Sequence, residues 1–178
     1  MKLKISKLLL EGALMFQAKQ DVRYYLNGIC FMPDGRIAST DGHRAMIASK
    51  HENKIKSNVI VSVSKSPTKR YAHALLDTKT GIVTYHDEHE IMVGAGICSE
   101  INGRFPDIDC VIPKETKAAE EIVFNAGYLV DVEKVARLFS PKFCGVKFEL
   151  NGNTNAAVCC LSAPSGENAK IVVMPMRL

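Results

Sequence analysis

Two short stretches carry residue types that could do chemistry. His86-Asp87-Glu88-His89-Glu90 packs nitrogen and oxygen ligand types into five consecutive residues. Thr40-Asp41-Gly42-His43-Arg44 sets an aspartate two residues from a histidine, the pairing a general base would use. Each has a simpler reading. A metal centre needs ligands converging from at least two elements, and a charged hairpin tip accounts for the first stretch without one. Asp-Gly suits a turn between two strands, which leaves His43 and Arg44 projecting at its exit as a binding rim. The six cysteines, at 30, 98, 110, 144, 159 and 160, form no Cys-x-x-Cys pair. They read mostly as small buried apolar residues in a reducing cytosol, with the adjacent Cys159 and Cys160 on opposite faces of a strand. Gly-x-x-x-x-Gly-Lys-Ser/Thr, Gly-x-Gly-x-x-Gly and His-Glu-x-x-His motifs are absent. The expectation is a non-enzyme with no cofactor and no metal.

The elements that position these residues follow from local signals. Residues 2–5 alternate as a strand. Ser6 is a helix N-cap, and 7–18 is rich in helix formers with Leu10, Ala13 and Leu14 on one face. Strands are expected at 24–32, 36–39 and 44–49, joined by turns at Pro33-Asp34-Gly35 and Asp41-Gly42. The middle reads as strands at 58–64, 71–76, 81–85 and 90–101, with Ser66-Pro67-Thr68 where a helix could have followed the first of them. The last third reads as a strand at 121–124, an Asn125-capped helix to about 138, and strands at 146–150, 156–161 and 171–175. This is an α+β chain with a β-α-β-β-β unit repeated about three times, the middle copy lacking most of its helix.

Composition narrows the class. The chain has 178 residues, 47% hydrophobic and 24% charged, with a formal net charge of +4. That is ordinary globular composition. No apolar run reaches a membrane span, and no signal peptide is read at the N-terminus, so a cytoplasmic protein is expected. The charge is uneven. Residues 1–70 hold thirteen Lys/Arg against five Asp/Glu, while 71–113 hold two against seven. Such polarity is the kind a polyanion partner reads. The C-terminal Val172-Val173-Met174-Pro175-Met176-Arg177-Leu178 runs apolar to the last residue, and Pro175 argues that it stops pairing and peels onto a surface.

Four stretches, in order, resemble one family. They are Asp21-Val22-Arg23-Tyr24-Tyr25-Leu26-Asn27-Gly28, Thr40 to Arg44, Gly103-Arg104-Phe105-Pro106-Asp107, and Val172 to Leu178. Together they are similar to the bacterial DNA polymerase III beta subunit, the sliding clamp. The resemblance implies a DNA-clamp fold of repeated β-α-β-β-β units, with helices lining a DNA-sized hole. It implies that residues 1–113 correspond to the clamp's middle domain and 114–178 to the second half of its last domain. What resembles the rest of a clamp subunit is missing.

In that family, partners insert a linear motif of Gln, Leu and Phe type into an apolar pocket between the middle and last domains. The matching positions here are Leu26, Thr40, Gly42, His43, Arg44, Pro106, Val111, Val172, Met174, Pro175, Met176, Arg177 and Leu178, with Asn125 and Tyr128 on a second rim. Gln20, Arg23, Tyr24 and Tyr25 match positions that touch DNA. Cys110 stands where the family has an arginine and Ala45 where it has a leucine, which removes a polar clamp and enlarges the pocket floor.

The implied function is a truncated, non-catalytic clamp-like protein of DNA replication, of the kind expected of a phage or prophage product. Its partners would be clamp-binding-motif proteins (polymerase, clamp loader, repair factors). Double-stranded DNA, a second copy of the chain in a homo-oligomer, and no membrane complete the list. The alternative is a small oligomeric clamp that encircles DNA, since three units per chain would let four chains supply a twelve-unit ring.

Overall fold

A computed structural model describes residues 1–178 except Lys50, Pro67, Lys69 and Leu178. The first unit is β1 (Lys2–Ser6), α1 (Lys7–Phe16), a 3-10 turn (Tyr24–Leu26), β2 (Ile29–Phe31), β3 (Arg36–Thr40) and β4 (Arg44–Ser49). Then come β5 (Val59–Val63), β6 (His73–Asp77), β7 (Ile82–His86) and β8 (Met92–Ile101). The last third holds α2 (Ala126–Phe139), β9 (Phe148–Glu149), β10 (Ala157–Ser162) and β11 (Asn168–Val173). Among the described residues, the eleven strands form one antiparallel sheet in the order β1-β6-β7-β8-β5-β2-β3-β4-β11-β10-β9. This is the repeated unit read from the sequence. Among the described residues, β5 leads to β6 without a helix.

The helices start where capping chemistry puts them. The Ser6 hydroxyl accepts from the Leu9 amide at 3.3 Å, and the Asn125 side chain accepts from Gly127 at 2.8 Å. Leu9, Leu10, Ala13 and Phe16 form the buried stripe of α1, and Val132, Val135, Ala136 and Phe139 that of α2. The stripes meet over the sheet around Gly12. A Cβ there would lie 2.7 Å from Met46 Cε and 3.3 Å from Val135 Cγ2, so the missing side chain is what lets α1 sit this close.

Strands β2, β3, β4, β10 and β11 divide their residues between two cores with period two. Ile29, Phe31, Ile37, Met46, Ala48, Cys159, Ile171 and Val173 face the helices. Cys30, Ala38, Ala45, Ile47, Val158 and Val172 face the other way, under Phe105 and Ile108. Both faces are covered, so β4 is buried almost end to end. Cys159 is buried and Cys160 exposed, as an extended strand requires. Cys30 and Cys98 are also buried, but Cys110 is exposed and Cys144 half-buried, so the cysteines are less uniformly internal than expected.

Several expected strands differ. Tyr24–Leu26 is a 3-10 turn because Asp21 and Asn27 tie the loop from both ends. Asp21 N–H donates to Asn27 Oδ1 at 3.0 Å, and Asn27 Nδ2 donates back to Asp21 O at 2.9 Å. Residues 121–124 form no strand, although Val123 O accepts from the Met176 amide at 2.7 Å. The strand expected at 146–150 shrinks to Phe148–Glu149. That expected at 90–101 begins at Met92, because Glu90 has a positive φ of 61°. β11 ends at Val173, short of Pro175, although the Met174 amide still donates to His43 O at 2.9 Å. No described helix is long and apolar enough to cross a membrane.

Candidate functional site

The β3–β4 hairpin is the hinge of the site. Gly42 has φ +92°, a conformation that favours glycine, and the Asp41 carboxylate accepts from the His43 and Arg44 amides at 2.9 and 3.0 Å. The Thr40 hydroxyl donates to Arg44 O at 2.7 Å and accepts from Gly42 N–H at 3.0 Å. The Asp41 carboxylate is thus engaged by the turn and by Arg44, and His43 stands at the turn exit with only its backbone amide bonded to Asp41.

A cavity of about 210 Å³ opens on one side of this hairpin. Its walls are Leu26, Thr40, Gly42, Pro106 and Val111, with Ala45, Ile108, Tyr25, Arg23 and Asp107 completing them. Val111 is 43% exposed, while Leu26 and Ala45 are buried. This is below the ~300–1,000 Å³ of small-molecule pockets and suits one or two apolar side chains. The outer wall is held down by Arg36, whose two terminal nitrogens donate to the two Asp109 oxygens at 2.6 and 2.9 Å. That contact, with Asp34, raises the Arg36 pKa. Phe105 and Ile108 are driven into the sheet face beneath.

The other side of the hairpin carries the second group of expected residues. The His43 and Tyr128 rings stack at 6.2 Å. Met174, Met176 and Arg177 are exposed and Pro175 half-buried, and the two backbone bonds noted above anchor this segment to His43 and Val123. Val172 lies behind the floor, opposite Ala45 in the sheet register. Asn125 is the cap of α2. Leu178 lies outside the described residues.

Arg44 is expected to project at the turn exit as part of a binding rim, but its guanidinium is turned inward to its own chain. Its Nη1 donates to Asp131 at 2.6 Å, Nε to Asp41 at 2.9 Å and Nη2 to Met15 O at 3.3 Å. The guanidinium lies 5.1 Å from the Phe16 ring centre and 4.8 Å from that of Tyr128. It braces α1, the hairpin and α2 against one another. Burial alone would lower its pKa, but the two carboxylates outweigh burial and raise it. Asp131 shows the converse: burial would raise its pKa, but Lys134 and Arg44 lower it.

The four residues matched to DNA contacts split. Gln20, with φ +57°, and Tyr24 are exposed on a loop whose tip, Val22, is 94% exposed. Arg23 and Tyr25 line the cavity instead. Arg23 holds both oxygens of Asp21, at 3.0 and 2.8 Å, and donates to Asp41 O at 3.2 Å. The Arg23 side-chain bond pulls the Asp21 pKa down to about 2. Its guanidinium covers Gly42, where a Cβ would approach to 2.8 Å. Ile108 escaped the sequence reading, and Asp107 was read only as the end of the Gly103 to Asp107 motif and not as a wall of the cavity.

With this geometry in view, comparison with known proteins defines the class. No protein-family model matches the chain. The whole chain superposes on two-thirds of the DNA polymerase III beta subunit from Pseudomonas aeruginosa, with a TM-score of 0.66 at 19% identity. A Bacillus subtilis sliding clamp gives 0.60 at 14%, over 100% of this chain and 64% of that one. The fold is therefore the sliding-clamp fold. In sequence the chain resembles bacterial beta sliding clamps. It is 30% identical over 165 residues to that of Buchnera aphidicola subsp. Rhopalosiphum padi, covering 84% of this chain and 42% of the relative. It is 33% identical over 154 residues to that of Pseudomonas putida, covering 80% and 41%. The chain thus spans about two-fifths of the length of the curated relatives it matches.

Proposed function

We propose that the chain is a non-catalytic clamp-like protein of DNA replication, whose groove receives clamp-binding linear motifs of polymerase, clamp-loader or repair proteins. Residues 1–113 would stand for the clamp's middle domain and 114–178 for half of its last. The observation that carries this reading is the apolar cavity beside the β3–β4 hairpin, assembled from matched residues of three separate stretches. A Leu or Phe of the motif would enter between Pro106 and Val111. The rest of the peptide would cross His43 and Tyr128 toward Met174 and Met176. Titration with a fluorescent Gln-Leu-x-Leu-Phe peptide tests it: saturable binding is expected, weakened by removing residues 174–178. No binding at hundredfold excess would overturn it.

A second reading, a small ring around DNA, is supported by one feature. Among the described residues, β1 and β9 are the outer strands of the sheet, with Asn53 bonding the Lys4 backbone on one edge and Lys117 bridging beside the other, and both helices lie on one face. Edge-to-edge joining of copies would extend the sheet. Against it, α2 carries Asp131 and Glu133 beside Lys134 and Arg137, and these pair with one another. Arg23 would have to leave Asp21 to meet a phosphate. Gln20 and Tyr24 are the better placed of the matched residues for DNA. Solution mass separates the readings: a monomer leaves the peptide-binding module, a tetramer the ring.

A further inference from the structure

We propose that His73, His86 and Glu90 form a binding site for a divalent transition-metal ion of the zinc type, three strands away from the groove. The histidine-rich stretch at 86–90 could not make a site alone, because its ligands come from one hairpin. The sheet supplies the missing element. His73 on β6 is the register partner of His86 on β7, and their rings stack at 5.4 Å and 10°. Glu90 is brought back over them by a strained turn. It has φ +61°, its amide donates to Asp87 O at 3.2 Å, and Asp87 Oδ1 accepts from the His89 and Ile91 amides, each at 2.9 Å. One ligand atom from each of the three residues lies within 4.8 Å of the others.

The second observation is an unsatisfied nitrogen. His73 is only 8% exposed, and its buried Nε2 makes no aligned hydrogen bond, although Glu90 Oε2 lies 3.1 Å away and pairs with the ring when it is protonated. A metal ion between the imidazole and the carboxylate would satisfy both. Two imidazoles and one carboxylate are a donor set for zinc-like ions, leaving a fourth position for water. The ligand atoms would close to about 3.3 Å from one another, as bonds of about 2 Å require. His86 Nδ1 lies 3.2 Å from Glu90 O and Nε2 3.0 Å from Thr84 Oγ1, so ligation through one nitrogen gives up its contact and leaves the other to orient the ring. Lys4 Nζ sits 3.3 Å from Glu90 Oε1 and competes with the ion for the carboxylate.

The test is calorimetric titration of the full chain with zinc chloride, in a Cys110→Ser/Cys160→Ser background that removes the exposed thiols. One ion per chain is expected. His73→Ala and Glu90→Gln should each weaken binding at least about tenfold, and Lys4→Met should tighten it. Glu90 is exposed, so its variant tests the site without threatening the fold. Cobalt in place of zinc should show visible absorption bands that His86→Ala abolishes. Absence of binding, or an affinity unchanged within about twofold by both His73→Ala and Glu90→Gln, would overturn the proposal.

Discussion

Replacing Arg44 with alanine should destabilise the protein more than any other single change at the groove. Three charge-assisted contacts are lost, to Asp131, Asp41 and Met15 O. The packing of the guanidinium on Phe16 and Tyr128 goes with them. Breaking a fully buried pair costs about 3–5 kcal/mol. Here the Arg44 side chain is 11% exposed but its partners are 19% and 23% exposed, and Asp131 keeps Lys134 at 2.9 Å. The expected loss is therefore about 2–3 kcal/mol, or a drop in Tm of about 4–12 °C for a chain of this size. Urea unfolding of the wild type, Arg44→Ala, Asp131→Asn and the double variant measures both the loss and the coupling, which should be about 1–2 kcal/mol. Arg44→Lys should recover less than half, because an ammonium cannot span both carboxylates. A loss for Arg44→Ala under about 0.5 kcal/mol, or a coupling energy of zero, would refute the view that Arg44 braces the two helices.

Three further outcomes are expected. Val111→Asp, on a half-open apolar wall, should lower affinity for the Gln-Leu-x-Leu-Phe peptide at least about tenfold while leaving unfolding within about 0.5 kcal/mol, checked by anisotropy and urea titration. Gly42→Ala should cost about 1–3 kcal/mol from its positive φ and push Arg23 off the hairpin, so peptide affinity and stability fall together; equal stability would mean the turn relaxes freely. His51 and His73 both have pKa values lowered first by burial. The unfolded chain therefore binds more protons near pH 6, and stability should be full at pH 7.5 and decline as pH falls through about 6.5 toward 5; the urea midpoint of His73→Gln should show a shallower decline.

What could be read from the sequence was whatever is decided within a few residues. Ser6 and Asn125 cap helices that begin one residue later, and Asp34-Gly35 and Asp41-Gly42 each make the turn their types require. Those signals pointed to the repeated unit and to a middle copy that, among the described residues, has no helix between β5 and β6. What was misread depends on partners further off. Tyr24 and Tyr25 have strand-like types, yet Asp21 and Asn27, six residues apart, close the loop on itself and turn Arg23 and Tyr25 toward the cavity. His73 and Glu90 are seventeen positions apart and meet only because β6 and β7 pair. Arg44 is the clearest case. Its type suits a binding rim as well as a brace, and the choice between them is made by Asp131, 87 positions later. A motif match fixes where a residue stands in the chain. Whether its charge is offered to a partner depends on which carboxylate the fold brings to it first, and here α2 delivers one to 2.6 Å. On the proposed reading, peptide recognition would therefore rest on the groove's apolar walls and on His43, with Arg44 holding the surface in shape beneath them.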